Sequence, residues 1–350
     1  MTIGRFLEAV HRHGWVTQPL AAWRAEVVPE AMALLRRDGW LVSEALAPED
    51  SYPCPSPGGV GCPRRVVELS GQLVAVCGRE IEDCDDVVVP CDEAEVLGAT
   101  PRAVRRALGR ALRLDQVEEG DPGVCAVLRL GERRFGEERA AFYFAHRLGR
   151  QLGDWVDATV ARERGRAVAL VVPRAACVGR ERGEMLGRSR VSLLPLDRVL
   201  RADAAGTHVD LAAFVLEHRF AGVDPGQVLW PRYRLVMDPE GDRYWISGRR
   251  LALDGKPKSA AMLRALARSP GRLVTRGELC REVWPESYGG RGTLEIDWDR
   301  RIRGLKRELG KVLEATEAGA GAILQAVSGD ETVGGYRLAI QQRVVKWWSR

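Results

Sequence analysis

No stretch of this 350-residue chain approaches the roughly 20 consecutive apolar residues that a membrane-spanning helix needs. Its start lacks the basic, apolar and small-residue series of a secretory leader, so a cytoplasmic protein with no membrane partner is expected. Two common chemical signatures are missing as well. There is no Gly-x4-Gly-Lys-Ser/Thr phosphate loop and no Gly-x-Ser-x-Gly nucleophile element. A Mg²⁺-dependent nuclease needs carboxylates at strand ends, yet the apolar run Ala167 to Val172 leads into Pro173-Arg174. Glu137, Glu138, His146, Asp154 and Arg174 are the polar candidates of the central region, and they form no recognisable catalytic set. A non-enzyme is therefore expected. No internal repeat or low-complexity tract stands out.

What is present suits a soluble chain of several domains: 45% hydrophobic and 29% charged residues. The net charge of +5 is unevenly spread. Residues 249–350 hold 20 Lys/Arg against 12 Asp/Glu, while the remainder is slightly acidic. A basic end on a near-neutral body points to a polyanion partner.

The expected fold class is α+β multi-domain. It comprises an N-terminal helical or winged segment (1–48), a Cys-rich zinc-ribbon-like hairpin region (49–115), a small α/β domain (116–225) and a C-terminal winged helix with a preceding β-sheet (230–342). In the first segment, residues 4–12 and 29–37 read as helices before the extended run Gly39-Trp40-Leu41-Val42. Arg65 to Leu69 and Leu73 to Val76, joined by Ser70-Gly71, read as a hairpin. Residues 101–113 read as a basic amphipathic helix with Pro101 near its start. In the central domain, Val124 to Leu130 is strand-like, with Gly131-Glu132 turning into Arg133 to Phe135. Glu137 to Leu152 reads as a long helix, with Ala141, Phe144, Ala145, Leu148 and Leu152 on one side. Ala167 to Val172 and Ser189 to Leu194 are strands, His208 to Arg219 a helix, and Gly222 to Pro231 a linker.

Five of the eight cysteines fall within residues 54–91. In a cytoplasmic protein this favours metal or free thiols over disulfides. Cys54, Cys62, Cys77 and Cys84 could supply two pairs of thiolates to a tetrahedral, structural Zn²⁺, with Cys91 an alternative fourth ligand. Ordinary buried thiols are the competing reading.

The C-terminal third is the most informative. Arg234 to Met237, Arg243 to Ser247 and Leu251 to Leu253 are β runs, and Ser259 is placed to cap a helix from Ala260 to Arg268. Thr275-Arg276-Gly277-Glu278 is a capping box opening a helix that Pro285 stops. The next helix, from about Thr293 to Leu309, carries an apolar stripe of Leu294, Trp298, Ile302, Leu305 and Leu309. Arg300, Arg303, Arg307 and Lys311 fall on another face. One apolar and one cationic side suit a helix that packs inward and meets phosphates and guanine edges outward.

Several ordered motifs lie in this region. They are the run Ser269 to Leu279, then Val283-Trp284, then Ile302 to Gly310, then Gly335-Tyr336-Arg337-Leu338. On these the segment resembles the C-terminal effector domain of OmpR/PhoB-type response regulators, a winged helix preceded by a small sheet. The resemblance implies that Arg276 and Trp284 touch the DNA backbone, that Arg301, Arg303 and Lys306 occupy the groove-facing helix, and that Arg337 lies on the wing strand. Two departures stand out. Gly304 replaces a common base-reading Arg, and Ser328-Gly329 with Asp330 and Glu331 replaces the family's Arg-Gly wing. No phospho-acceptor receiver domain precedes the module.

The expectation is a DNA-binding transcriptional regulator whose partner is double-stranded DNA. Arg276, Trp284, Arg300, Arg301, Arg303, Lys306, Arg307 and Arg337 are its contact candidates. The central domain would sense a signal, form a homodimer or meet a protein partner. The alternative is a non-catalytic adaptor of a larger assembly, with the winged helix turned to protein contacts.

Overall fold

The structure, a computed structural model, describes residues 3–13, 16–45, 51–53, 63–77, 85–90, 95–117, 127–149, 151–218, 220–230, 232–238, 243–286, 295–327, 334–340 and 345–347. The architecture is mixed α+β with several small sheets, divided into two compact units, Met1–Asp210 and Leu211–Arg350. None of the described helices is long and apolar enough to cross a membrane.

The first unit opens with α1 (Ile3–His13), β1 (Val16–Pro19), α2 (Leu20–Glu26), α3 (Pro29–Arg37) and β2 (Val42–Ala45). Phe6, Trp23 and Trp40 pack together at its centre, with ring centroids about 6 Å apart. A separate four-stranded sheet follows, of β3 (Ser51–Pro53), β4 (Pro63–Leu69), β5 (Gln72–Cys77) and β6 (Val87–Val88). The β4–β5 hairpin is closed by Ser70 (φ 53°) and Gly71 (φ 79°), the two left-handed residues that a tight primed turn requires. Then β7 (Glu95–Ala99) returns to lie between β1 and β2, antiparallel to both.

Next comes α4 (Pro101–Leu112), with Pro101 in its first turn. Its N-cap Thr100 accepts from Ala103 N, and Arg113 ends it in the left-handed conformation. β8 (Gln116–Val117), β9 (Val127–Phe135), β10 (Glu138–Ala145), β11 (Ala167–Val172) and β12 (Val191–Pro195) form one sheet in the order β12-β11-β10-β9-β8. The β9–β10 pair is antiparallel and β10-β11-β12 are parallel. The helix expected over Glu137 to Leu152 is therefore corrected: most of that stretch is strand β10. Its residues Ala140 to Ala145 are all buried, because a strand between two neighbours and covered on both faces is apolar throughout. The true helix starts where the expected one ends, as α5 (Leu152–Arg162), and Glu137 sits in the β9–β10 turn.

Gly131 is not a turn either. β9 runs straight through it, with a bulge opposite Phe142/Tyr143. Gly131 adopts φ 144°, and a side chain there would strike Gln116 O of β8. The unit continues with α6 (Arg180–Arg188) and α7 (Leu196–Val199), and closes with the hairpin of β13 (Leu200–Asp203) and β14 (Gly206–Val209). His208, expected to begin a helix, thus lies on β14.

The second unit begins with α8 (Leu211–Glu217) and α9 (Pro225–Leu229). The linker expected over Gly222 to Pro231 contains this buried turn of helix. Asp224 caps it by accepting from Gly226 N, and Gly226 lets it lie directly on the Trp245 ring. β15 (Leu235–Asp238), β16 (Arg243–Ile246) and β17 (Arg249–Arg250) form a sheet that β21 (Val345–Trp347) joins parallel to β15. Between β17 and β21 come α10 (Pro257–Arg268), β18 (Val274–Thr275), α11 (Arg276–Val283), α12 (Glu295–Thr316), β19 (Leu324–Val327) and β20 (Gly335–Leu338). Helix α10 starts two residues before the expected cap. Ser259 is buried inside it and donates to Glu308 of α12 at 3.0 Å.

A repeat that the sequence conceals now becomes visible. Each unit contains helix, strand, helix, helix, strand, strand, with the last strand central and antiparallel to the other two: β1-β7-β2 in the first, β18-β20-β19 in the second. In the second copy, residues 328–334 separate the last two strands. In the first, residues 46–94 separate them and contain the β3–β6 sheet.

Candidate nucleic-acid interface

The inner face of α12 is fixed by burial. Trp298, Ile302, Leu309, Val312 and Leu313 belong to one core with α10, α11 and β15–β16, and Leu305 packs at its edge. Spacings of three and four residues put these side chains on one side of the helix, so the opposite side faces water. Arg300, Arg303, Gly304, Arg307 and Lys311 are exposed there. Leu294 lies outside the described residues.

Helix α11 is set by the expected capping box. Thr275 Oγ1 accepts from Glu278 N at 3.2 Å, and Glu278 Oε2 accepts from Thr275 N at 2.7 Å. The donations from Thr275 N and Thr275 Oγ1 to Glu278 Oε2, at 2.7 and 2.9 Å, hold the Glu278 carboxyl below its usual range, and Arg272 and Arg281 add to the effect. Arg276, the first residue of α11, is thereby presented beside α12. Its Nε lies 2.9 Å from Asp299 Oδ1, and Arg303 Nη2 lies 3.0 Å from Asp299 Oδ2. Tyr336 of β20 stands behind this group. Its phenol is raised by burial and by Asp299, against the opposing pull of Arg276 and Arg303. Three elements therefore converge on one acidic residue flanked by two arginines. Neither Asp299 nor Tyr336 was among the residues expected from the sequence, although Asp299 stands four before Arg303, the spacing of a helical ion pair.

The strand behind the site explains the Gly335-Tyr336 pair. A Cβ on Gly335 would sit 2.3 Å from Val274 O, so only glycine lets β18 and β20 approach. Tyr336 is buried, whereas Arg337 is exposed and donates from Nε to Gln325 Oε1 on β19 at 2.9 Å.

The remaining candidates divide. Arg300 and Arg307 are exposed, and Lys306 is half-buried. The Arg301 guanidinium stacks over Trp298 at 5.1 Å. Trp284, expected at the DNA backbone, is only 8% exposed and packs edge-on against Trp298 at 5.2 Å. Its place is in the core, where a Trp ending α11 locks it against α12. Lys258 stands over its outer face at 5.5 Å.

Of the expected zinc ligands, Cys77 ends β5 half-buried with a free thiol, while Cys54, Cys62 and Cys84 lie outside the described residues, as does Cys91. No metal-binding cluster of His, Cys, Asp or Glu occurs among the described residues. The polar candidates of the central region are dispersed. Glu138 opens β10, His146 follows it, Asp154 lies in the first turn of α5, and Arg174 follows β11. Compared with known protein families and with curated proteins, the chain matches none.

Proposed function

We propose that the second unit binds double-stranded DNA, with α12 laid in the major groove, and that the protein acts as a transcriptional regulator. The observation that carries this reading is the outer face of α12. Arg300, Arg303 and Arg307 are exposed along one line of a helix whose opposite side is fully committed to the core. Arg276 from α11 and Arg337 from β20 add exposed cations from the flanking elements. A rigid rod with pre-positioned guanidinium groups can pair with phosphates and with guanine O6 and N7.

The element order α10-β18-α11-α12-β19-β20 supports a winged-helix reading, with β19 and β20 as the strands of the wing. In the first unit, Cys54, Cys62, Cys77 and Cys84 would hold a structural Zn²⁺, with Cys77 supplied by the end of β5. Four deprotonated thiolates close the coordination shell, so the metal would supply folding energy and no catalysis.

One observation favours the adaptor reading instead: Asp299 already engages Arg276 and Arg303 in ion pairs. Fluorescence anisotropy of the full chain with random-sequence duplex DNA separates the two. For DNA binding, the Arg303→Glu/Arg307→Glu double variant loses at least about tenfold in affinity while it stays folded, with a melting temperature lowered only by the loss of the exposed Arg303–Asp299 pair. Equal affinity in wild type and variant refutes the DNA reading.

A further inference from the structure

In the first unit the third helix of the repeat, α3, meets the β13–β14 hairpin at its C-terminal end, where Asp38 accepts from Thr207 N. The β13–β14 hairpin covers that end, and a cleft of about 410 Å³ lies between α3, α4 and the hairpin. A second cleft of about 310 Å³ adjoins it, sharing Arg37 and Asp203 as walls, with Ala33, Leu34 and Ala202 in its lining. Both volumes fall within the roughly 300–1,000 Å³ of small-molecule sites.

The larger cleft is cationic once its acids are accounted for. The Asp38 carboxylate accepts from Arg37 Nε at 2.9 Å and from Thr207 N at 2.6 Å. Burial alone would raise its pKa, but these bonds from Arg37 and Thr207 hold it below the usual carboxylate value. The Asp203 carboxylate is taken up by its own turn, accepting from Ala205 N and Gly206 N at 2.8 and 3.2 Å. Both carboxylates are held by these bonds and stay charged, so the three arginines of the cleft leave it with a net positive charge of about one.

Arg110, Arg113 and His208 line the same space. Arg110 is aimed by the end of α3: it lies against Gly39 and donates to the carbonyl oxygen of Asp38. The Arg113 side chain has no hydrogen bond or ion pair among the described residues, and its backbone is held at φ 54°. Its charge also acts on Arg133, whose pKa is depressed first by burial and then by Arg113. Three guanidiniums thus face two carboxylates: Arg37 is paired with Asp38 and the His208 ring lies 3.5 Å from Asp203, which leaves the charges of Arg110 and Arg113 for a phosphate to meet.

We infer that this double cleft binds a phosphomonoester bearing an apolar or aromatic group. The phosphate would lie among Arg37, Arg110 and Arg113, and the organic part over Ala33 and Leu34. The site lies wholly within the first unit and does not depend on the DNA reading.

Calorimetric titration of the full chain with phenyl phosphate, inorganic phosphate and phenol tests this. Expected are saturable binding of phenyl phosphate, binding of inorganic phosphate weaker by about tenfold, and no binding of phenol. Arg113→Gly removes the guanidinium at a left-handed backbone position that glycine adopts freely, so the fold is retained or gains stability. That variant should lose at least about tenfold in phenyl phosphate affinity with an unlowered melting temperature. Ala33→Glu, on the exposed side of α3, should abolish the preference of phenyl over inorganic phosphate. Absence of saturation by either phosphate, wild-type affinity in Arg113→Gly, or equal affinity for the two phosphates overturns the proposal.

Discussion

Arg303 and Arg276, from two different helices, share a single carboxylate: Asp299 lies 3.0 Å from one guanidinium and 2.9 Å from the other. The pairing orients both arginines along the outer side of α12 and also cancels part of their charge. Each arginine is at least half exposed, so the pairs contribute only about 0.2–1 kcal/mol each to folding. Asp299→Asn should therefore cost at most about 2 kcal/mol in a denaturant titration. DNA affinity at low salt should rise severalfold, because two cations lose their internal competitor. Unchanged or weaker DNA binding would show that the two arginines do not meet phosphate.

The glycines of this unit give a paired test. Gly304 lies in mid-helix on the exposed face of α12, and no atom comes within 4 Å of an added Cβ. Gly304→Ala should stabilise by about 0.5–1 kcal/mol, the difference in helix propensity. Gly335→Ala should destabilise by about 1–3 kcal/mol or more, since its Cβ would be driven into Val274 O. Urea denaturation of both variants checks the opposite signs. A destabilised Gly304→Ala would contradict the exposed placement of that face.

A buried ionic network in the first unit makes a pH prediction. Glu163 Oε1 accepts from Tyr143 Oη at 2.7 Å and from Arg129 Nε at 3.1 Å. Arg166 bridges Glu163 and Glu132. Burial pushes the Tyr143 phenol up to about 12, and the neighbouring Glu163 adds to it. The folded state holds that proton more tightly than an unfolded tyrosine near pH 10, so the resulting stability is present below about pH 10 and is lost as the pH rises toward 12. Glu163 behaves oppositely. Its burial would raise its pKa, but hydrogen bonds from Tyr143 and Arg129 hold it below 4.5. Its stability is present above that pH and fades as the pH falls through the folded value. Tyr143→Phe should flatten the alkaline limb of the melting-temperature profile and cost about 1.5–3 kcal/mol, the worth of one hydrogen bond to a charged group, Glu163 Oε1 keeping its bond from Arg129. Glu163→Gln should flatten the acid limb. Parallel pH profiles for wild type and variants would remove the network from the stability of the fold.

Metal content gives an independent test of the cysteine reading. Purified full-length protein should carry about one Zn²⁺ per chain by atomic emission, and Cys77→Ser should lose it and melt at a lower temperature. Metal-free wild type with an unchanged melting temperature in the presence of chelator would show the cysteines to be ordinary thiols.

Much of the second unit was legible from its residues because local rules and global packing agree there. Thr275 and Glu278 close a reciprocal cap, and Trp298, Ile302 and Leu309 repeat at helical spacing. The central sheet was less legible. Ala140 to Ala145 is apolar at every position, so the run fits a helix face as well as a strand buried on both sides. Asp224 and Pro225 carried an N-terminal helix signal that the surrounding glycines obscured. The tandem element order was hidden because β2 and β7 of the first copy are separated by residues 46–94. At the candidate interface, the arginine spacing revealed the cationic face of α12. The burial of Trp284 was not legible, because a tryptophan beside a helix end reads the same whether it points out or in, and only its packing against Trp298 shows that most of the ring lies in the core.

The most direct measurement is the dependence of duplex-DNA affinity on salt for the full chain and for a variant with Arg300, Arg303 and Arg307 replaced by Gln. Each neutralised phosphate contributes about −0.9 to the slope of log affinity against log salt. The expected wild-type slope is about −3 or steeper, and the variant should be shallower by about 2 to 3. A slope near zero in the wild type, or the same slope in both proteins, would contradict groove docking by α12.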